Sequence, residues 1–134
     1  MPDEKPEIVA LDVEKFNEMT KFDGVVVIHL SAAWCTPCKA FNAVFDKTAG
    51  NHDDVVFASL DTDTQPELGA AFNVKSIPTI AVLRGGALIF THEGSLSEKA
   101  LSDVIRQAGE ADLEAIRKSV AAAGVAKLGK SGGR

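Results

Sequence analysis

The stretch Gly24–Phe41, GVVVIHLSAAWCTPCKAF, changes character half-way. Val25 to Leu30 is an apolar, mostly β-branched run interrupted by one histidine, His29. An unalternating run of this kind suits a strand covered on both faces, as in a sheet with parallel pairs. From Thr36 the apolar residues recur at helical spacing, with Phe41, Val44 and Phe45 as core positions, so the pattern predicts a helix from Thr36 to about Ala49. The junction between strand and helix holds both cysteines of the chain, Cys35 and Cys38.

The same alternation continues on either side. Glu7–Leu11 reads as a short strand, and Asp12 as the N-cap of a helix carrying Val13, Phe16 and Met19 on one face. Asp54–Asp61 is a further strand, followed by a short helix over Gln65–Asn73 with Pro66 at a tolerated early position. Thr79–His92 reads as two strands joined at Gly85–Gly86, which makes them antiparallel neighbours. Ser97 begins a helix with Leu101, Val104 and Ile105 inward. The order β-α-β-α-β-α-β-β-α predicts an α/β fold with a mixed central sheet covered by helices on both faces. Leu113, Ile116, Val120 and Ala123 add a narrow apolar stripe, hence one more helix. The expected division is a domain over residues 1–108, a helical extension over 109–124 and a flexible tail over 125–134.

A length of 134 residues suffices for one domain with a real core. The net charge of −5 argues against general nucleic-acid binding. The opening MPDEKPE lacks the apolar segment of a secretory signal, and no apolar run is long enough to span a membrane. The expected compartment is the cytoplasm, where a CxxC pair serves catalysis or metal binding more often than stapling.

Cys35 opens a helix, where unpaired N–H groups and the helix dipole favour a thiolate. Its pKa is expected to fall and its nucleophilicity at neutral pH to rise. Cys38 lies one helical turn on, on the same face, placed to attack a mixed disulfide held by Cys35. Pro37 fits the first helical turn and stiffens the loop between the sulfurs. Trp34 reads either as core or as an apolar contact surface beside the pair, the second being favoured by its place next to an accessible sulfur.

WCTPC after a β-branched strand, SIPT (Ser76–Thr79) some forty residues later, then the GG pair and EGS (Glu93–Ser95), resemble the thioredoxin family over residues 7–108. The resemblance implies a three-layer α/β/α sandwich with an extra C-terminal helix. It implies a protein-disulfide reductase that works by dithiol/disulfide exchange. Cys35 would attack and Cys38 would resolve. Pro78 would be cis and packed against the pair, and Ile77 would offer backbone groups to an extended substrate. Trp34, Thr36, Pro37 and Gly94 would border the same groove. No cofactor is implied beyond the redox-active pair. The partners implied are disulfide-bearing proteins and a flavin-dependent reductase or other dithiol donor, acting on a monomer.

Two positions depart from the family. Its buried aspartate six residues before the first cysteine is His29 here, and the lysine that accompanies it is Ser59. Both members of a charge pair are thus replaced, and two neutral groups are expected to hydrogen-bond instead. His29 reads as a proton relay to Cys38 or as a neutral core histidine, and both readings stand. Thr36 in place of the commoner glycine shifts the reduction potential with a sign the residue does not reveal, so an oxidase or isomerase stays open. So does a partner-binding role for the last helix. A metal site is the other rival, but one CxxC with His29, His52 and His92 lacks the spacing of a four-ligand zinc site. His52 and His92 read as solvated surface.

Overall fold

A computed structural model describes residues 7–123 of the chain, with side chains to residue 119. The expected flexible tail over 125–134 lies outside the described residues. The elements are β1 (Ile8–Ala10), α1 (Val13–Met19), β2 (Val25–Ser31), α2 (Thr36–Ala49), β3 (Val56–Asp61), α3 (Pro66–Ala71), β4 (Thr79–Arg84), β5 (Ala87–Glu93), α4 (Glu98–Glu110) and α5 (Leu113–Ala123).

The five strands form one sheet in the order β1-β3-β2-β4-β5. β1 and β2 flank β3 in parallel, while β2–β4 and β4–β5 are antiparallel. The β-branched run occupies the central strand, and Val25 to Leu30 are all buried. Its alternate side chains feed two separate cores. Val26, Ile28 and Leu30 meet Phe16, Leu68 and Phe72 on the α1/α3 face. Val25 and Val27 meet Phe41, Phe45, Leu101 and Ile105 on the α2/α4 face.

Asp12 caps α1 by accepting from the Lys15 N–H at 2.8 Å. Val13 departs from expectation: it is 48% exposed, while Phe16 is buried and Met19 packs on the core. Val13 is the first residue of a seven-residue helix, and Phe16 and Met19, a turn and two turns later, supply the face that reaches the sheet.

The β4–β5 turn carries Gly85 and Gly86 at φ +61° and +82°, the left-handed region that glycine enters most readily. A Cβ on Gly86 would strike the Thr20 carbonyl, and one on Gly85 the Leu113 side chain. Beside the turn, Arg84 donates from Nε to the Asp23 carbonyl at 3.0 Å. Its Nη1 donates to the carbonyls of Ala108, Gly109 and Ala111 at 2.7, 3.0 and 3.1 Å. One guanidinium therefore holds the end of α4 and its C-cap Ala111, ahead of α5, and Arg117 on α5 bonds Asp23. Leu113 and Ile116 are half-buried, while Glu114, Ala115, Arg117, Lys118 and Ser119 are exposed.

Gly86→Ala is expected to lower the unfolding free energy by about 1–3 kcal/mol from backbone strain, with the carbonyl clash adding to it. Urea denaturation of the variant beside the unaltered protein measures this.

Candidate active site

β2 ends at Ser31, and the chain turns at once into α2. The Cys35 N–H donates to the Ala32 carbonyl at 3.1 Å, closing the turn. Cys35 is then the N-cap of α2 in extended conformation, and its Sγ accepts from the Cys38 N–H at 3.1 Å. Pro37 sits in the first helical turn, where no backbone donor is missed. Cys35 and Cys38 are joined as a disulfide with Cα atoms 5.2 Å apart. Both are nearly covered, at 3% and 1% exposure.

Two structures close around the pair. The Ile77–Pro78 peptide bond is cis, and Ile77 packs against Ala32, Cys35 and Cys38. Gly94, at φ +98°, donates its N–H to the Pro78 carbonyl at 2.8 Å, so the end of β5 braces the proline. On the other side Trp34 is 68% exposed. Its indole N–H donates to Asp63 Oδ2 at 2.8 Å, and the Asp63 N–H donates to Asp61 Oδ1 at 2.8 Å. Trp34 and Ile77 line a cavity of about 460 Å³ with Thr62, Gly69, Val74 and Lys75. A larger cavity of about 620 Å³ opens at the far end of the sheet, between Gly24, His52, Arg84 and Arg106, away from the sulfurs.

A family model described as Thioredoxin matches residues 7–107. A protein named putative thioredoxin 2 from Streptomyces coelicolor is 42% identical over 113 residues, covering 84% of each chain. Thioredoxin C-3 of Corynebacterium nephridii is 36% identical, covering 75% of this chain and 70% of its own. The crystal structure of a thioredoxin of Malassezia sympodialis superposes with a TM-score of 0.71 at 29% identity, over 78% of this chain and 93% of that one. That of a thioredoxin of Trypanosoma brucei brucei gives 0.69 at 28%, over 79% and 97%.

The chain belongs to the thioredoxin family. Its activity is that of a thiol–disulfide oxidoreductase, and its fold is the thioredoxin-like α/β sandwich with an added C-terminal helix. Disulfide-containing proteins are its class of substrate. No helix among the described residues is long and apolar enough to cross a membrane. Nor do the described residues contain a cluster of three or more side chains suited to a metal.

Of the residues singled out in the sequence, Trp34, Cys35, Thr36, Pro37 and Cys38 sit at the start of α2, Ile77 packs against the two cysteines from just before β4, and Gly94, just after β5, is joined to Pro78. Asp63 and Asp61 join this set through Trp34. The signal for them is the DTDT run at the end of β3, an Asx-type turn in which Asp61 binds two N–H groups ahead of it.

His29 lies beneath α2, on the sheet face that carries Val25 and Val27. It is 1% exposed, with the Phe41 ring edge-on at 4.9 Å and the Phe45 ring at 5.4 Å. Phe41 is one helical turn beyond Cys38. Strand register sets His29 beside Ser59 on β3 and Ile80 on β4. The hydrogen bond expected between His29 and Ser59 does not form. The imidazole Nε2 has no partner, and the ring packs against Phe41 and Phe45 of α2. Burial pulls the His29 pKa from 6.5 down to about 4; the Asn42 side chain pulls the other way without reaching the geometry of a full hydrogen bond. His52 and His92 also differ from expectation: both are half-buried, and His52 Nε2 lies 3.2 Å from Ser102 Oγ.

A histidine neutral when folded makes the protein acid-sensitive. The unfolded chain binds this proton below about pH 6.5, the folded chain only below about 4. The contribution is thus whole above pH 6.5 and drains away as pH falls toward 4, by about 3 kcal/mol in total. His29→Leu is expected to remove that part of the slope. Urea unfolding at pH 7 and pH 4.5, compared between the two proteins, isolates it from the titration of carboxylates.

Proposed function

We propose that the chain reduces protein disulfides, with Cys35 as the attacking thiol and Cys38 as the resolving one. The observation that carries the assignment is the 3.1 Å bond from the Cys38 N–H to Cys35 Sγ at the start of α2. In the reduced protein that donor and the helix dipole favour Cys35 as the thiolate. Cys38 sits within the helix and has no such position.

The Cys35 thiolate attacks one sulfur of a substrate disulfide, forming a mixed disulfide and releasing the other substrate sulfur as a thiolate. Cys38, on losing its proton, attacks Cys35 Sγ. The Cys35–Cys38 disulfide forms, and the second substrate sulfur leaves as a thiolate. The substrate gains two electrons and the pair loses two. A flavin-dependent reductase or another dithiol donor returns them, with no resident cofactor on this chain.

Trp34, Thr36, Pro37, Ile77, Pro78 and Gly94 form the surface on which an extended substrate segment lies. Support comes from Ile77, whose backbone groups make no hydrogen bond among the described residues and are free for strand addition. His29 relays the Cys38 proton. This is supported by its unpartnered Nε2 under α2, against Phe41, which lies one turn beyond Cys38, and by burial that keeps the ring neutral at neutral pH, the form with a nitrogen free to take a proton. A cytoplasmic monomer fits a chain whose only cysteines are the exchanging pair.

Cys35→Ser is expected to abolish disulfide reduction, while Cys38→Ser retains attack and accumulates the mixed disulfide, visible by mass spectrometry on non-reduced protein. A redox titration of the pair sets the direction: a strongly reducing potential supports a reductase, a high one an oxidase or isomerase. For His29, the second step measured against pH is expected to slow in His29→Ala and to change its pH profile. Superimposable profiles would remove the residue from the mechanism.

A further inference from the structure

The groove has a charge at its β5 rim that the exchange chemistry does not use. Antiparallel register sets Glu93 opposite Thr79, the first strand residue after the cis proline. The next residue, Gly94, holds the Pro78 carbonyl. Glu93 therefore stands beside the ledge Ser76–Ile77–Pro78, on the strand adjoining it. Its side chain is exposed and forms no ion pair among the described residues. Across the ledge, the cavity between Trp34 and α3 is apolar apart from Thr62, Ser76 and Lys75 at its margin. The two flanks thus differ in kind: apolar with a lysine toward Trp34, carboxylate toward β5.

We propose that Glu93 is a specificity-determining residue, which makes the groove favour disulfides carried on segments with a lysine or arginine beside the target cysteine. The inference rests on the exchange reading above, since it needs a segment laid along Ile77. A strand added there passes the end of β5, and one of its side chains next to the cysteine comes within reach of the Glu93 carboxylate. An acidic side chain at that place meets a like charge. The chain's net charge of −5 favours the same class of partner at longer range.

The probes are hexapeptides whose single cysteine is capped as a mixed disulfide with 2-mercaptoethanol, with lysine, glutamine or glutamate on one side of the cysteine or the other. The rate of attack by the reduced protein is followed through the fluorescence of Trp34, its single tryptophan. On one side of the cysteine, lysine is expected to outpace glutamate by about two- to fivefold at low salt, the scale of an exposed ion pair. The preference is expected to shrink at high salt, to vanish in Glu93→Gln and to invert in Glu93→Lys. A preference that survives Glu93→Gln, or none at low salt, overturns the proposal. The uncharged glutamine peptide separates this from the reading beneath it: if the unaltered protein fails to reduce even that peptide, the exchange assignment falls first.

Discussion

The functional end of this molecule depends on the burial of β2. The strand is paired on both sides and covered on both faces, so its position is over-determined by two cores at once. It cannot shift by one residue without turning each core inside out. That fixes where the strand ends, and α2 starts within five residues of its last. Cys35 is at a helix N-terminus because the chain must leave a buried strand and begin packing Phe41 and Phe45 against the same sheet.

Around that point the site is assembled from parts that share no local sequence. The cysteines come from α2, the cis proline from the start of β4, the glycine that braces it from the end of β5, and the carboxylate that holds Trp34 from the end of β3. Each lies at a strand end, where backbone groups run out of sheet partners. A rigid frame with unpaired backbone at its edge is what strand addition of a substrate requires. The same arrangement keeps both sulfurs nearly covered while Trp34 stays open to contact.

His29 is the costly part of the arrangement. A polar ring with an unpartnered nitrogen sits among phenylalanines on a strand that is paired on both sides and packed on both faces. With neutral groups at both His29 and Ser59 no buried ion is left unpaired, yet the two polar groups do not meet. Parallel register makes them neighbours in the sheet, and side-chain packing under α2 keeps the ring elsewhere.

The chain's local patterns, taken alone, determined most of the fold. The apolar run of β2, the helical spacing after Thr36, the two-glycine turn and the caps at Asp12 and Ser97 all act over a few residues, through backbone sterics and side-chain periodicity. The cysteine spacing and the SIPT stretch marked the exchange chemistry by resemblance. Tertiary structure alone decided that Val13 faces solvent, that Asp63 holds Trp34, that Arg84 ties the end of α4 to the β4–β5 turn and that Gly94 braces Pro78. It also decided that His29 and Ser59 stay apart and that Glu93 stands beside the ledge. Those outcomes depend on which strands become neighbours and which way a ring rotates within a packed core. Both are set by contacts between residues distant in sequence, which no local pattern encodes.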